Sequence, residues 1–158
     1  MCKVEKPAER FQRKRSAVDG LQPICKRCKN QTLILDGELP ALNEIIAASK
    51  SHWSRYSRVK RGNTQIVALE CRAQKLKPVD APVEVTFRHY RPNKRKDPDN
   101  VAGGAQKAIL DGLVKANILP DDTMRYILSL HHYFAIDKKK PRIEVQINVI
   151  TNQEEICA

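Results

Sequence analysis

The chain has 158 residues, enough for one domain with or without a small appendage, and folding at this size hides roughly 68–70% of the unfolded surface. Twenty-nine lysines and arginines against 18 acids leave a net charge of +11, which favours a polyanionic partner, either nucleic acid or an anionic membrane surface. No apolar run approaches the ~20 residues that cross a bilayer, the basic first residues hold no signal-peptide core, and five cysteines, an odd number, argue against a disulfide framework, so the cytoplasm with reduced thiols or a metal site is expected.

Residues 1–30 hold nine basic and three acidic residues, a net +6, with Cys2, Cys25 and Cys28 among them. Phe11, Leu21 and Ile24 are too few for a core, so this segment reads as a small appendage that needs a staple. Residues 31–158 form the main body. Thr32 to Leu35 suggests a short strand, and Asp36-Gly37 a turn. Leu42, Ile45, Ile46 and Ser49 lie at helical spacing, which predicts a helix over 41–49. Residues 51–63 are polar and basic. Ile66, Leu69, Ala73 and Leu76 predict a second helix over 64–76, broken by Pro78 and Pro82. Val83 to Tyr90 alternates as a strand does. A third helix is predicted over 101–116, with Val101, Ala105, Ala108, Ile109, Gly112, Leu113 and Ala116 on one face. Asp99 or Asn100 is positioned to cap it, and Asn117 and Pro120 end it. Tyr126 to Phe134 and Ile143 to Ile150 read as strands joined by a turn containing DKKKP. This order predicts a mixed α/β (α+β) fold, a small mixed sheet packed against helices.

The stretch KDPDN-VAGGAQKAILDGLVKANILPDD carries five aspartates, Asp97, Asp99, Asp111, Asp121 and Asp122, in 26 residues. Pro98 biases Asp97 towards extended backbone, where residues two apart share a face, so Asp97 and Asp99 are expected to converge. Carboxylates gathered at one point repel unless a cation sits between them. Mg²⁺ prefers carboxylate, water and phosphate oxygens. Acids flanked by basic loops therefore suggest metal-assisted phosphodiester hydrolysis. Plainer readings exist for each acid: Asp99 as a cap, Asp111 as an ion pair with Lys107 or Lys115, and Asp121-Asp122 as turn chemistry. Order and spacing together raise the joint reading.

KDPDN, then a helix containing Lys107 and ILDGL, then LPDD, resembles the RusA-type Holliday-junction resolvases common in bacteria and phages. The similarity spans roughly residues 33–150 and includes LPALNE and the final IEVQI. It implies a small nuclease domain that forms a homodimer and makes paired, Mg²⁺-dependent cuts across a four-way DNA junction, with Mn²⁺ as a substitute, in recombination and repair. By position, it implies that Asp97 and Asp99 form the first acidic pair, Asp121 and Asp122 the second, and Lys107 the catalytic lysine. VAGGAQK is longer than the family pattern.

Lys50, Arg55, Arg58, Lys60 and Arg61 interleave with Trp53 and Tyr56, a composition suited to phosphates and exposed bases. Arg88, Arg91, Lys94, Arg95 and Lys96 run directly into Asp97 and are candidate DNA contacts. The histidines of the predicted strands, His89, His131 and His132, read as structural or exposed and not as ligands. Cys25-x-x-Cys28 reads as half of a zinc site, with Cys2 as a third candidate ligand and Cys71, Cys157 or water to complete it; an unmetallated tail is the alternative reading. The rival function is a non-catalytic nucleic-acid-binding protein that uses the zinc-like module and the basic loops.

Overall fold

Val83, Val85, Phe87 and His89 alternate with more exposed neighbours, and all four bury on one face of the central strand, β4 (Val83–Arg91). The computed structural model describes residues 11–13, 21–25, 30–51 and 53–150. In chain order the remaining elements are β1 (Phe11–Arg13), β2 (Leu21–Cys25), β3 (Asn30–Asp36), α1 (Leu42–Ser51), α2 (Trp53–Ala73), α3 (Pro98–Lys115, after β4), β5 (Ile127–Ile136) and β6 (Arg142–Val149). Strands β1 and β2 pair antiparallel as a separate two-stranded sheet. The main sheet has the order β3-β6-β4-β5, antiparallel except for the parallel β4–β5 pair. That parallel pair is joined through α3, the crossover such a pair requires. The fold is therefore the expected mixed α+β arrangement.

One core joins both layers. Leu33, Val85, Phe87, Val145 and Ile147 of the sheet pack with Ile109 and Leu113 of α3 and Val67 and Cys71 of α2. The apolar face expected for α3 is the buried one. Helix α2 differs from expectation in two ways. It begins at Trp53, so the polar stretch 53–63 is helical; its side chains are largely exposed, and apolar periodicity reports only buried faces. Its inward face is also turned: Ile66 and Leu69 are about half exposed, while Val67, Ala68 and Cys71 are buried. Packing explains the turn, because a Cβ on Gly112 would overlap the Val67 side chain. The small residue lets two helix backbones approach closely, and that contact selects Val67 over its bulkier neighbours. In α1, likewise, Ala48 buries, as does Ala41 just before the helix, while Leu42 and Ile46 stay partly exposed.

Helix α3 starts three residues earlier than the pattern predicts. Asp97 takes the N-cap position with φ −67° and ψ 145°, the extended conformation that a following proline imposes, and makes no side-chain cap bond. Asp99 thus sits in the first helical turn, where alternation no longer places it beside Asp97. Asn100 caps a different helix: its Oδ1 accepts the Asn43 backbone N–H of α1 at 2.9 Å. Glu44 completes that start by accepting the Ala41 N–H at 3.1 Å, as the third residue of a capping box does. At the far end, Asn117 adopts φ 58°, and the Asn117 and Ile118 N–H groups return to Val114 and Leu113 carbonyls, both at 2.9 Å. This is a Schellman ending with asparagine in the left-handed position. It turns the chain back towards Asp121 and Asp122.

Candidate active site

Gly103 and Gly104 cost a helix roughly 1 kcal/mol each, yet α3 keeps both. A Cβ on Gly104 would meet the Pro40 carbonyl and lie 2.7 Å from Ala41 C and Leu42 N. The pair therefore seats α3 on the start of α1 and shapes a concavity of about 150 Å³ where the three helices meet, floored by Leu42 and Tyr56 and edged by Lys60, Lys107 and Asp111.

At its edge runs a chain of alternating charge. Lys107 Nζ donates to Asp111 Oδ1 at 2.8 Å and to Asp122 Oδ2 at 2.7 Å, and Lys60 Nζ lies 3.5 Å from Asp111 Oδ2. The bonds to Asp111 and then Asp122 hold the Lys107 ammonium well above its ordinary pKa, so it stays charged. In turn, the Lys107 bond holds the Asp122 carboxyl below its usual range. Asp121 Oδ1 accepts the Asp122 backbone N–H at 2.8 Å, which orients the acidic pair.

The structure thus brings Lys107, Asp122, Asp121 and Lys60 together, with Asp111 as the link between two lysines. Asp97 and Asp99 lie at the exposed start of α3, without an ion pair among the described residues. Among those residues no group of three or more His, Cys, Asp or Glu side chains is spaced to hold a metal. The donors themselves are hard carboxylate oxygens, which fit Mg²⁺ or Mn²⁺, and Mg²⁺ commonly takes one or two carboxylates and completes its shell with water and substrate phosphate.

The basic residues divide. Arg55, Arg58, Lys60 and Arg61 are exposed along α2, and Lys94 and Arg95 are exposed in the loop before α3. Arg91 is buried and bonded to Glu38 at 2.9 Å, and Lys96 is bonded to Glu44. Arg91 thereby ties the end of β4 to the segment before α1, and Lys96 ties the loop to the first turn of α1, commitments no sequence spacing reveals. Arg88 lies 4.9 Å from the centre of the Tyr133 ring, and Trp53 is largely exposed beside the basic face.

Two further features lie away from this edge. His89 Nε2 and His132 Nδ1 are 3.1 Å apart, and His132 Nε2 lies 3.0 Å from Gln106 Oε1. The rings stack between Phe87 and Phe134. Burial, helped by His132 and Arg91, pushes His89 down to about 4, so it is neutral and structural as expected. Cys71 is fully buried in the core, and burial pushes its thiol up to about 11. Of the other cysteines, Cys25 lies in β2, while Cys2, Cys28 and Cys157 lie outside the described residues.

No protein-family model matches the chain, and no curated protein matches it. No described helix is long and apolar enough to cross a membrane.

Proposed function

We propose that the chain is a Mg²⁺-dependent endonuclease that cuts branched DNA, four-way junctions in particular, as its resemblance to RusA-type resolvases implies. The observation that carries the reading is the 2.7 Å contact between Lys107 and Asp122, which joins the helix lysine to the second acidic pair beside a basic helix face. The resemblance assigns the ion to Asp97, Asp99, Asp121 and Asp122; no three of these are spaced in the structure to hold it at once, and one or two carboxylates with water and substrate phosphate would complete a Mg²⁺ shell. When bound, Mg²⁺ would supply activation of water and neutralisation of charge on the attacked phosphate. Lys107, held protonated by its carboxylate partners, donates N–H bonds to charge developing on the phosphate or the leaving oxygen. Arg55, Arg58, Lys60, Arg61, Lys94 and Arg95 bind the backbone phosphates. A twofold homodimer supplies the second site that paired cuts require. Zn²⁺ on Cys2, Cys25 and Cys28 would be a separate structural site, since thiolates select zinc over magnesium.

One observation favours the non-catalytic rival. Lys60, Asp111, Lys107 and Asp122 already compensate one another, as a purely structural ion network does. Incubation of the full chain with a synthetic four-way junction, with and without Mg²⁺, separates the two readings. Asp97→Asn or Asp99→Asn is expected to abolish cutting while junction binding persists. Full cutting by both single variants, or none by the native chain, would sink the nuclease.

A further inference from the structure

A second cleft, of about 420 Å³, opens between α2 and the C-terminal half of α3 on the far side of Asp111 and Asp122. Lys60, Arg61 and Thr64 come from α2 and Lys115 from α3, over the apolar wall of Val114. Its two acids are already engaged: Asp111 with Lys107 and Lys60, and Asp122 with Lys107. Set against those two lysines, the two carboxylates leave Arg61 and Lys115 uncompensated. Neither has a carboxylate partner among the described residues. The Arg61 Nε bonds the Ser57 carbonyl at 3.3 Å, which fixes the side chain and leaves its terminal nitrogens to other partners. The Thr64 hydroxyl also has no partner among the described residues.

Like charges on two packed helices repel, and a concave wall focuses their field, so this arrangement is matched by an anion placed between them. A guanidinium, an ammonium and a neutral hydroxyl donor converging on one cleft match the several oxygens of a phosphate, and the nucleic-acid reading makes phosphate the anion at hand. We propose that this cleft is a phosphate subsite, in which Arg61, Lys115 and the Thr64 hydroxyl hold one phosphate of a nucleic-acid strand beside Lys107 and Asp122. The inference rests on the reading that the chain binds nucleic acid, and it needs no cleavage. The phosphate is either an internal diester or a strand-end monoester, two sources of one chemistry.

The test measures binding of a single-stranded oligonucleotide, with and without a 5′-phosphate, to the full chain in the absence of Mg²⁺ over a range of salt. Lys115→Gln and Arg61→Gln are each expected to lower the slope of log affinity against log salt by about 0.7, the counterion release of one single-strand contact. Thr64→Val removes a donor and no charge, so it is expected to weaken binding several-fold at unchanged slope, with Thr64→Ser restoring it. Loss of a 5′-phosphate preference in Lys115→Gln assigns the monoester; equal weakening of both oligonucleotides assigns the diester. A folded Thr64→Val or Thr64→Ser chain that binds with an affinity unrelated to the hydroxyl, or slopes unmoved by both charge variants, would overturn the subsite. A chain that passes this test yet cuts no junction keeps the subsite and loses the nuclease.

Discussion

His89 is the clearest case of a residue whose chemistry depends on its surroundings. Its folded pKa of about 4 lies below the ordinary histidine value of about 6.5. Between those values the unfolded chain binds the extra proton, so stability rises with pH. The contribution is complete above pH 6.5 and is lost as pH falls towards 4, by about 3 kcal/mol in all. His89→Phe, which keeps a ring in the stack, is expected to flatten the midpoint-against-pH profile over that window; an unchanged profile would show that another group titrates. Lys107 behaves oppositely, since its partners lock its charge on. Asp111→Asn removes one of two partners and leaves Asp122 in place, so Lys107 keeps its charge and junction binding is expected to persist, whereas Lys107→Gln is expected to weaken it, as filter binding would show.

At the scale of elements, the glycines of α3 trade helix propensity for proximity. Gly104→Ala adds a methyl against backbone, not against a flexible side chain, and is expected to destabilise by about 3 kcal/mol, the upper range for overpacking. Urea unfolding would read it as a shifted midpoint at constant slope. Helix α2 ends with Lys75 at φ 56°, and Leu76 N–H bonds the Cys71 carbonyl at 3.0 Å. A left-handed lysine costs about 1 kcal/mol, partly offset in the variant by glycine's looser unfolded chain. Lys75→Gly is therefore expected to stabilise by about 0.5 kcal/mol, seen as a later urea midpoint.

For the whole molecule, the proposed paired cuts require two sites, and a chain with one acidic set carries one. Sedimentation is expected to find a dimer in the presence of a four-way junction; a monomer on that substrate would contradict symmetric resolution. Strand β5 ends the sheet order and leaves Leu130, Tyr133, Phe134 and Ile136 partly exposed, an edge of the kind that proteins normally cover or blunt.

Residue order by itself determined the layered α+β fold, the strand at Val83, the buried stripe of α3 and the turn at Asn117, because period-two and period-3.6 burial and left-handed endings are written in local sequence. It also placed Lys107 four residues before Asp111, which is the ion pair observed. Only the tertiary structure decided which face of α2 turns inward, since that depends on Gly112 facing Val67 across two helices. The commitment of Arg91 to Glu38 and of Lys96 to Glu44 is likewise a contact between distant segments, invisible to composition. Tertiary structure also brought Thr64 and Lys115 to one cleft with Asp122. Such pairings arise from the docking of elements, and docking is fixed by shape and close approach, which one-dimensional spacing does not carry.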